Sequence, residues 1–106
     1  MFSGKHRIHS RCFDEILKKG TSVYHGVFRL FFIKTEGFKM AVVVPKKVAK
    51  LSVIRHRIKR RVVSLLKKIH NIPDTGNYII FVQKNILDSE NDSIATELNG
   101  LFDKIK

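Results

Sequence analysis

The sequence predicts a single α/β domain in which helices pack on one β-sheet, in the order α-β-β-β-α-β-α. Segments whose apolar residues recur at helical spacing alternate with runs of β-branched and aromatic residues that are typical of strands. The chain has 106 residues, 43% of them hydrophobic, which is enough for one domain with its own core. We therefore expect residues 1–106 to form a single domain, with residues 1–9 as a flexible basic lead-in.

The first helix is expected to follow this lead-in. Ser10 can act as its N-cap, and Phe13, Ile16 and Leu17 then fall at i, i+3 and i+4 on one face. Gly20 stands where a helix commonly ends on a glycine. The pattern predicts a short amphipathic helix between Ser10 and Gly20.

Two β runs come next. Residues 21–34, TSVYHGVFRLFFIK, are rich in β-branched and aromatic residues, and Gly26 marks a bulge or a break within them. Residues 38–44, FKMAVVV, form the second run, which Pro45 ends. Because a turn-like segment, residues 35–37, separates the two runs, we expect them to pair as an antiparallel hairpin.

Alternation along the first β run divides its aromatic residues between two faces. Phe28 and Phe32 share one face, and Phe31 shares the other with Arg29. One face must supply the core. A phenylalanine beside an arginine favours a solvent-facing surface on which unpaired bases can stack.

The strongest helical pattern lies in residues 52–70, for which Ser52 is the expected N-cap. A turn-rich segment, residues 72–77, ends it. If the β runs before and after this helix are parallel neighbours, a right-handed crossover is the default. The apolar stripe of the helix consists of Ile54, Ile58, Val62, Leu65, Leu66 and Ile69.

The end of the chain predicts one strand and one helix. Residues 78–82, YIIFV, suit a buried strand. A final amphipathic helix is expected, with Ser89 or Asp92 as its cap. Its apolar face consists of Ile94, Leu98, Leu101, Phe102 and Ile105.

The charge of the chain is large and uneven. The formal net charge is +12, and residues 37–73 hold eleven Lys and Arg but no acidic residue. Six of the eight residues in the stretch 54–61, IRHRIKRR, are Arg, Lys or His. Like charges at i and i+4 destabilise a helix by a few tenths of a kcal/mol per pair, so this helix is expected to bind a polyanion such as RNA.

Other classes of function find little support. The pair His6 and His9 lacks a neighbouring Cys or carboxylate, so no metal site is predicted there. Cys12 is the only cysteine, which is consistent with a reducing, cytoplasmic location. No segment has the roughly 18 apolar residues that span a membrane, and no arrangement of catalytic side chains is evident.

The segment from Met40 to Val62, MAVVVPKKVAKLSVIRHRIKRRV, resembles the signature of the bacterial ribonuclease P protein subunit. That family has a strand ending in a Ser-Lys-Lys-like step, a short loop and a helix that opens with Arg-Asn-Arg. The spacing from Arg7 to Phe13 and the GTSV stretch, residues 20–23, are similar to the family as well. The resemblance therefore covers nearly the whole chain.

The resemblance implies a two-layer α/β sandwich with a mixed sheet and a left-handed β-α-β crossover. It also implies an RNA-based endoribonuclease, a hydrolase that removes the 5′ leader from precursor tRNA. Catalysis would belong to the RNA and its Mg²⁺ ions, with one protein per RNA, no protein catalytic residue and no cofactor or metal held tightly by the protein. The residues implied to bind the catalytic RNA are Arg55, His56, Arg57, Lys59, Arg60, Arg61, Lys46 and Lys47. Those implied to bind the precursor tRNA leader, in a cleft between the first helix and the sheet, are Phe13, Leu17, Arg29, Phe31 and Lys59.

Three positions differ from the usual family pattern. His56 replaces Asn, Pro45 replaces Ser, and Leu17 stands where an aromatic residue is common. The basic helix alone fits a structural ribosomal-RNA-binding protein equally well, and that role is the alternative hypothesis. A cleft for single-stranded RNA would distinguish the two.

Overall fold

The computed structural model describes residues 10–105, and side chains from residue 13 onward. The predicted lead-in and the side chains of His6, His9 and Cys12 therefore lie outside the described residues. The observed order is the predicted α-β-β-β-α-β-α. Its elements are α1 (Ser10–Lys19), β1 (Thr21–His25), β2 (Phe28–Ile33), β3 (Phe38–Val43), α2 (Ser52–Leu66), β4 (Gly76–Val82) and α3 (Asn91–Asp103).

The four strands form one mixed sheet in the order β1-β2-β4-β3. β2 pairs antiparallel with both β1 and β4, whereas β3 and β4 are parallel. The α/β class and the mixed sheet are thus confirmed. The strands on either side of α2 are parallel neighbours, and the hand of their crossover remains a prediction.

The predicted hairpin between residues 21–34 and residues 38–44 is wrong, because β4 lies between β2 and β3. The first run instead breaks into a hairpin of its own, in which Gly26 and Val27 connect the paired residues His25 and Phe28. Gly26 has φ +59°, a conformation that costs glycine little and other residues more. The break was one of the two expectations for Gly26.

One face of the sheet forms the main core with α2 and α3. Phe28, Leu30, Val42, Ile80 and Val82 project from the strands into this core. They alternate with residues of the opposite face, as the pleat requires. The predicted apolar stripes supply the helical half of the core, with Ile58, Val62, Leu65, Leu66 and Ile69 before β4 and Ile94, Leu98, Leu101 and Phe102 after it.

The opposite face of the sheet packs against α1. Ile16 and Ile79 are 1% and 0% exposed, yet they do not belong to the main core. Ile79 is the register partner of Phe31 in β2 and of Ala41 in β3, so these residues share its face. Helix α1 therefore covers only part of this face, and the rest, around Phe31, is available for a binding site.

The helix starts differ from prediction. Leu51, not Ser52, is the N-cap of α2, and its carbonyl oxygen accepts hydrogen bonds from the backbone N–H groups of Ile54 and Arg55, each over 3.1 Å. Glu90, rather than Ser89 or Asp92, is the N-cap of α3. Neither cap uses a side chain, so the side-chain preferences that guide such predictions did not apply.

The ends of α2 and β4 also differ from the prediction. Helix α2 ends at Leu66, although Ile69 beyond it is still buried. β4 begins at Gly76, within the segment predicted as a turn, because Gly76 is the register partner of Phe38 and donates a backbone hydrogen bond to Gly37. The Tyr78 hydroxyl donates to the Thr75 carbonyl oxygen over 2.6 Å, and burial raises the pKa of Tyr78.

Candidate nucleic-acid interface

The exposed side of α2 carries most of the charge that the sequence concentrates there. His56, Arg57, Lys59 and Arg60 are all exposed, and none of their side chains makes a hydrogen bond to a described residue. Ile58, in the middle of this group, is fully buried against the sheet. The helix therefore holds its apolar stripe in the core and presents unpaired cations to solvent.

Two arginines of the same stretch are engaged within the protein. Arg55 donates hydrogen bonds to the carbonyl oxygens of Ala49, over 3.0 Å, and Lys50, over 2.7 Å, which ties the preceding loop to α2. Arg61 donates to the Asn91 side chain, over 2.7 Å, and to the carbonyl oxygens of Ile86 and Ser89. Arg61 uses all three of its guanidinium nitrogens in these bonds, whereas Arg55 uses only Nη1, so both arginines stabilise the fold but only Arg55 keeps donors for a ligand.

His56, Lys59 and Arg60 line a groove along α2, whereas Arg57 is exposed but lines neither of its depressions. The groove consists of two adjoining depressions, of about 300 and 430 Å³, that share His56 and Lys59. We call it the α2 groove, and its lining consists of Val42, Val43, Val44, Ser52, Arg55, His56, Lys59, Arg60, Val63, Ser64 and Lys67. Because it is shallow and contains no acidic residue, it suits a polyanionic backbone better than a small molecule.

A second depression, of about 470 Å³, lies between α1 and the sheet. We call it the cleft. It contains two cations, several apolar side chains and no acid, which suits single-stranded nucleic acid. Its lining consists of Leu17, Arg29, Phe31, Pro45, Lys47, Phe81 and Gln83.

Arg29 lies between two aromatic rings beside the cleft. Its Cζ atom is 4.7 Å from the ring centroid of Tyr24 and 4.4 Å from that of Phe31. Phe31 in turn meets Phe81 edge to face, with ring centroids 5.5 Å apart. The side chains form a continuous row across three strands, in which the guanidinium is held by cation–π contacts.

The residues expected to bind the leader are only partly brought together. Leu17, Arg29 and Phe31 line the cleft. Phe13 is half-buried on α1, about one turn before Leu17, and is not among the lining residues. Lys59 lies in the α2 groove and does not line the cleft.

Lys47 lies at the cleft and not at the α2 groove. It was grouped with the residues that bind the catalytic RNA, but it lines the cleft together with Pro45. Lys46 is exposed in the same loop and lines neither depression. Of these two adjacent lysines, only Lys47 can therefore contact a ligand in the cleft.

Sequence reasoning missed three residues of this region. Phe81 is the register partner of Arg29, and Gln83 follows it at the rim of the cleft. Tyr24 is the partner of Arg29 on its other side. Alternation along β4 places Phe81 opposite the core, but its position next to Arg29 follows only from the insertion of β4 beside β2.

The described part of the chain contains no group of three or more His, Cys, Asp or Glu side chains that could hold a metal ion. None of its helices combines the length and the apolar character needed to cross a bilayer.

A known protein family resembles this chain in sequence. The sequence model of the Ribonuclease P family matches residues 2–106. No curated protein sequence matched the chain.

Solved structures share the fold over nearly the whole chain. The RNase P protein of Staphylococcus aureus is 25% identical, with a TM-score of 0.79 over 95% of each chain. That of Thermotoga maritima is 22% identical, with a TM-score of 0.80 over 94% of this chain and 97% of its own. A Staphylococcus aureus RNase P protein mutant with defective mRNA degradation activity is 23% identical, with a TM-score of 0.80 over 95% of this chain and 88% of its own.

Proposed function

The chain belongs to the Ribonuclease P family, and we propose that it is the RNA-binding subunit that helps a catalytic RNA to remove the 5′ leader from precursor tRNA. One observation carries the proposal. One small domain carries two surfaces suited to RNA, the α2 groove and the cleft, which have no lining residue in common. A subunit that must hold both an RNA partner and a single-stranded leader needs such a pair.

The α2 groove is the proposed contact with the catalytic RNA. Arg57, Lys59 and Arg60 are exposed and unpaired, so their charges can neutralise phosphates and release counterions. His56 lies beside them and can donate to a phosphate or stack on a base. Arg55 lines the groove as well and has Nε and Nη2 left to bind a phosphate, whereas Arg61 supports the surface indirectly by holding the segment between β4 and α3 against α2.

The cleft is the proposed contact with the leader. Its aromatic rings can stack on unpaired bases, whereas Lys47 and Arg29 can neutralise the backbone. Leu17 offers apolar contact in place of a stacking ring. This mode of binding is tolerant of sequence, as a protein needs when it meets many different leaders.

Catalysis in this proposal belongs to the RNA and its Mg²⁺ ions. The protein binds the leader and lowers the repulsion between the two RNAs by placing cations between them. One protein would act with each RNA, in the cytoplasm. A structural ribosomal protein could use the α2 groove, but the cleft would then have no evident use.

Reconstitution tests the proposal. The purified protein is mixed with a bacterial ribonuclease P RNA and a precursor tRNA at low Mg²⁺, and leader release is followed with each component omitted in turn. We expect cleavage to require the RNA and to be accelerated by the protein. Cleavage by the protein alone, or no acceleration with several such RNAs, would contradict it.

A further inference from the structure

The row of side chains in ring contact extends beyond the lining of the cleft. From Phe31 it continues through Arg29 to Tyr24, at the edge of the sheet. β1 is an edge strand, paired only with β2. Tyr24 and Arg29 are register partners on neighbouring strands, so their side chains leave the same face. From Phe81 to Tyr24 the row crosses two strand spacings, about 10 Å.

Tyr24 differs from the other aromatic side chains of the described residues in its high exposure. It is 56% exposed, whereas the other large hydrophobic residues with high exposure in the described part of the chain, Leu51 and Val53, are aliphatic. Its backbone is nevertheless held, since the Lys104 ammonium donates to the Tyr24 carbonyl oxygen over 2.5 Å. An exposed ring on a fixed backbone loses little conformational freedom when it binds a ligand.

Arg29 has donors available beside this ring. Its Nε atom is buried, and no described residue accepts a hydrogen bond from its guanidinium. Leaving a buried donor without an acceptor is unfavourable, and the two flanking rings hold the group in place. The two Nη groups of the same guanidinium are not buried and also lack an acceptor among the described residues, so a phosphate of a bound strand can accept hydrogen bonds from them.

We propose that Tyr24 and Arg29 form an additional nucleotide site, in which one unpaired base of the leader stacks on Tyr24 and an adjacent phosphate accepts hydrogen bonds from Arg29. The site rests on the proposed function, since it extends the cleft that holds the leader. A strand of RNA is the fitting occupant because the site is continuous with the cleft, whose lining carries Arg29 and Lys47 but no acid.

The site can be tested by removing one base at a time from the leader and measuring how the affinity depends on the position of the missing base. Precursor tRNAs that carry one abasic nucleotide, placed at each leader position in turn, are bound to the complex of the protein with a bacterial ribonuclease P RNA. The wild-type protein should lose affinity at several positions. With Tyr24→Ala, the loss at one of these positions should disappear, because the ring that stacked there is gone. The intact leader should bind about fivefold to tenfold more weakly to this variant, as expected for one stacked base.

Tyr24→Phe is the matched control, since it keeps the ring and should keep the wild-type profile at every position. An unchanged profile with Tyr24→Ala would overturn the additional site while leaving the leader cleft intact. A uniform loss at all positions would also overturn it, because it would indicate general damage to the cleft. If no abasic position affects the wild-type protein, leader binding itself is wrong, and the proposed function fails with it.

Discussion

Arg61 of α2 donates a hydrogen bond from its Nε atom to Oδ1 of Asn91, the first residue of α3, over 2.7 Å. The same guanidinium donates to the carbonyl oxygens of Ile86 and Ser89, so it ties the segment between β4 and α3 to α2. Arg60, its neighbour in the chain, is exposed and has no such partner. Adjacent arginines of one basic stretch therefore have different functions.

This difference predicts that substituting Arg61 lowers the stability of the protein far more than substituting Arg60. Arg61→Ala should lower the free energy of unfolding by about 2 kcal/mol, because hydrogen bonds from a charged group to three acceptors are lost. Arg60→Ala should change it by less than about 0.5 kcal/mol, as an exposed substitution without partners. Urea denaturation followed by circular dichroism measures both, and equal effects would contradict the separation.

The exposed cations predict the salt dependence of RNA binding. Arg57→Ala and Arg60→Ala should each weaken binding to the catalytic RNA and reduce the slope of log K against log salt by about one unit. Lys34→Ala is the matched control, since it also removes one exposed charge but lines neither surface. Unchanged slopes for both arginine variants would show that the catalytic RNA binds at another surface of the protein.

The two lysines Lys47 and Lys59 should separate the two RNA contacts. Lys47→Ala should weaken binding of precursor tRNA to the assembled complex and leave mature tRNA unaffected, because Lys47 lines the cleft. Lys59→Ala should instead weaken assembly with the catalytic RNA, because it lies in the α2 groove. If the assignment made from the sequence alone were right, Lys47→Ala would instead weaken assembly with the catalytic RNA and Lys59→Ala would weaken both contacts, which affinities measured separately for each RNA would reveal.

Much of the fold could be predicted because local patterns determine it. The apolar stripe that includes Ile58 and Val62 predicted both α2 and its buried face, and the alternation of Phe28 with Phe31 predicted the two faces of β2. The pairing of strands could not be predicted in the same way. Whether β3 pairs with β2 or β4 depends on contacts distant in sequence, and a short turn at residues 35–37 favoured the wrong neighbour.

The sequence predicted the positive charge of the site, but not which of its basic side chains are bonded within the protein. The eleven cations of residues 37–73 indicated RNA, but the sequence carries no sign that Arg55 and Arg61 would be engaged by backbone carbonyl oxygens. Carbonyl acceptors are present at every residue, so only the fold shows which of them a long side chain reaches. For the same reason the place of Lys47 beside the cleft emerged only from the structure.

Tyr78 predicts a pH dependence of stability. Burial raises its pKa, so above about pH 10 the unfolded chain releases the phenolic proton while the folded chain retains it. Stability contributed by Tyr78 is therefore complete below that pH and is lost as the pH rises further. Tyr78→Phe removes this contribution together with the hydrogen bond to Thr75.

The wild-type protein should accordingly exceed Tyr78→Phe in unfolding free energy by about 1 kcal/mol at pH 8. The difference between the two should shrink as the pH rises above about 10, as urea denaturation at a series of pH values would reveal. A difference that stays constant as the pH rises would contradict the burial effect.

Site-specific cross-linking tests the central claim, that two surfaces of one domain hold two different RNAs. A photoreactive amino acid is placed at Gln83 in the cleft or at Ser64 in the α2 groove, positions that line each surface without being proposed contacts. Each variant is assembled with a bacterial ribonuclease P RNA and a precursor tRNA labelled in its leader. We expect position 83 to cross-link to the leader and position 64 to the catalytic RNA. Cross-links from both positions to the catalytic RNA alone would contradict the account and leave the protein a purely structural role.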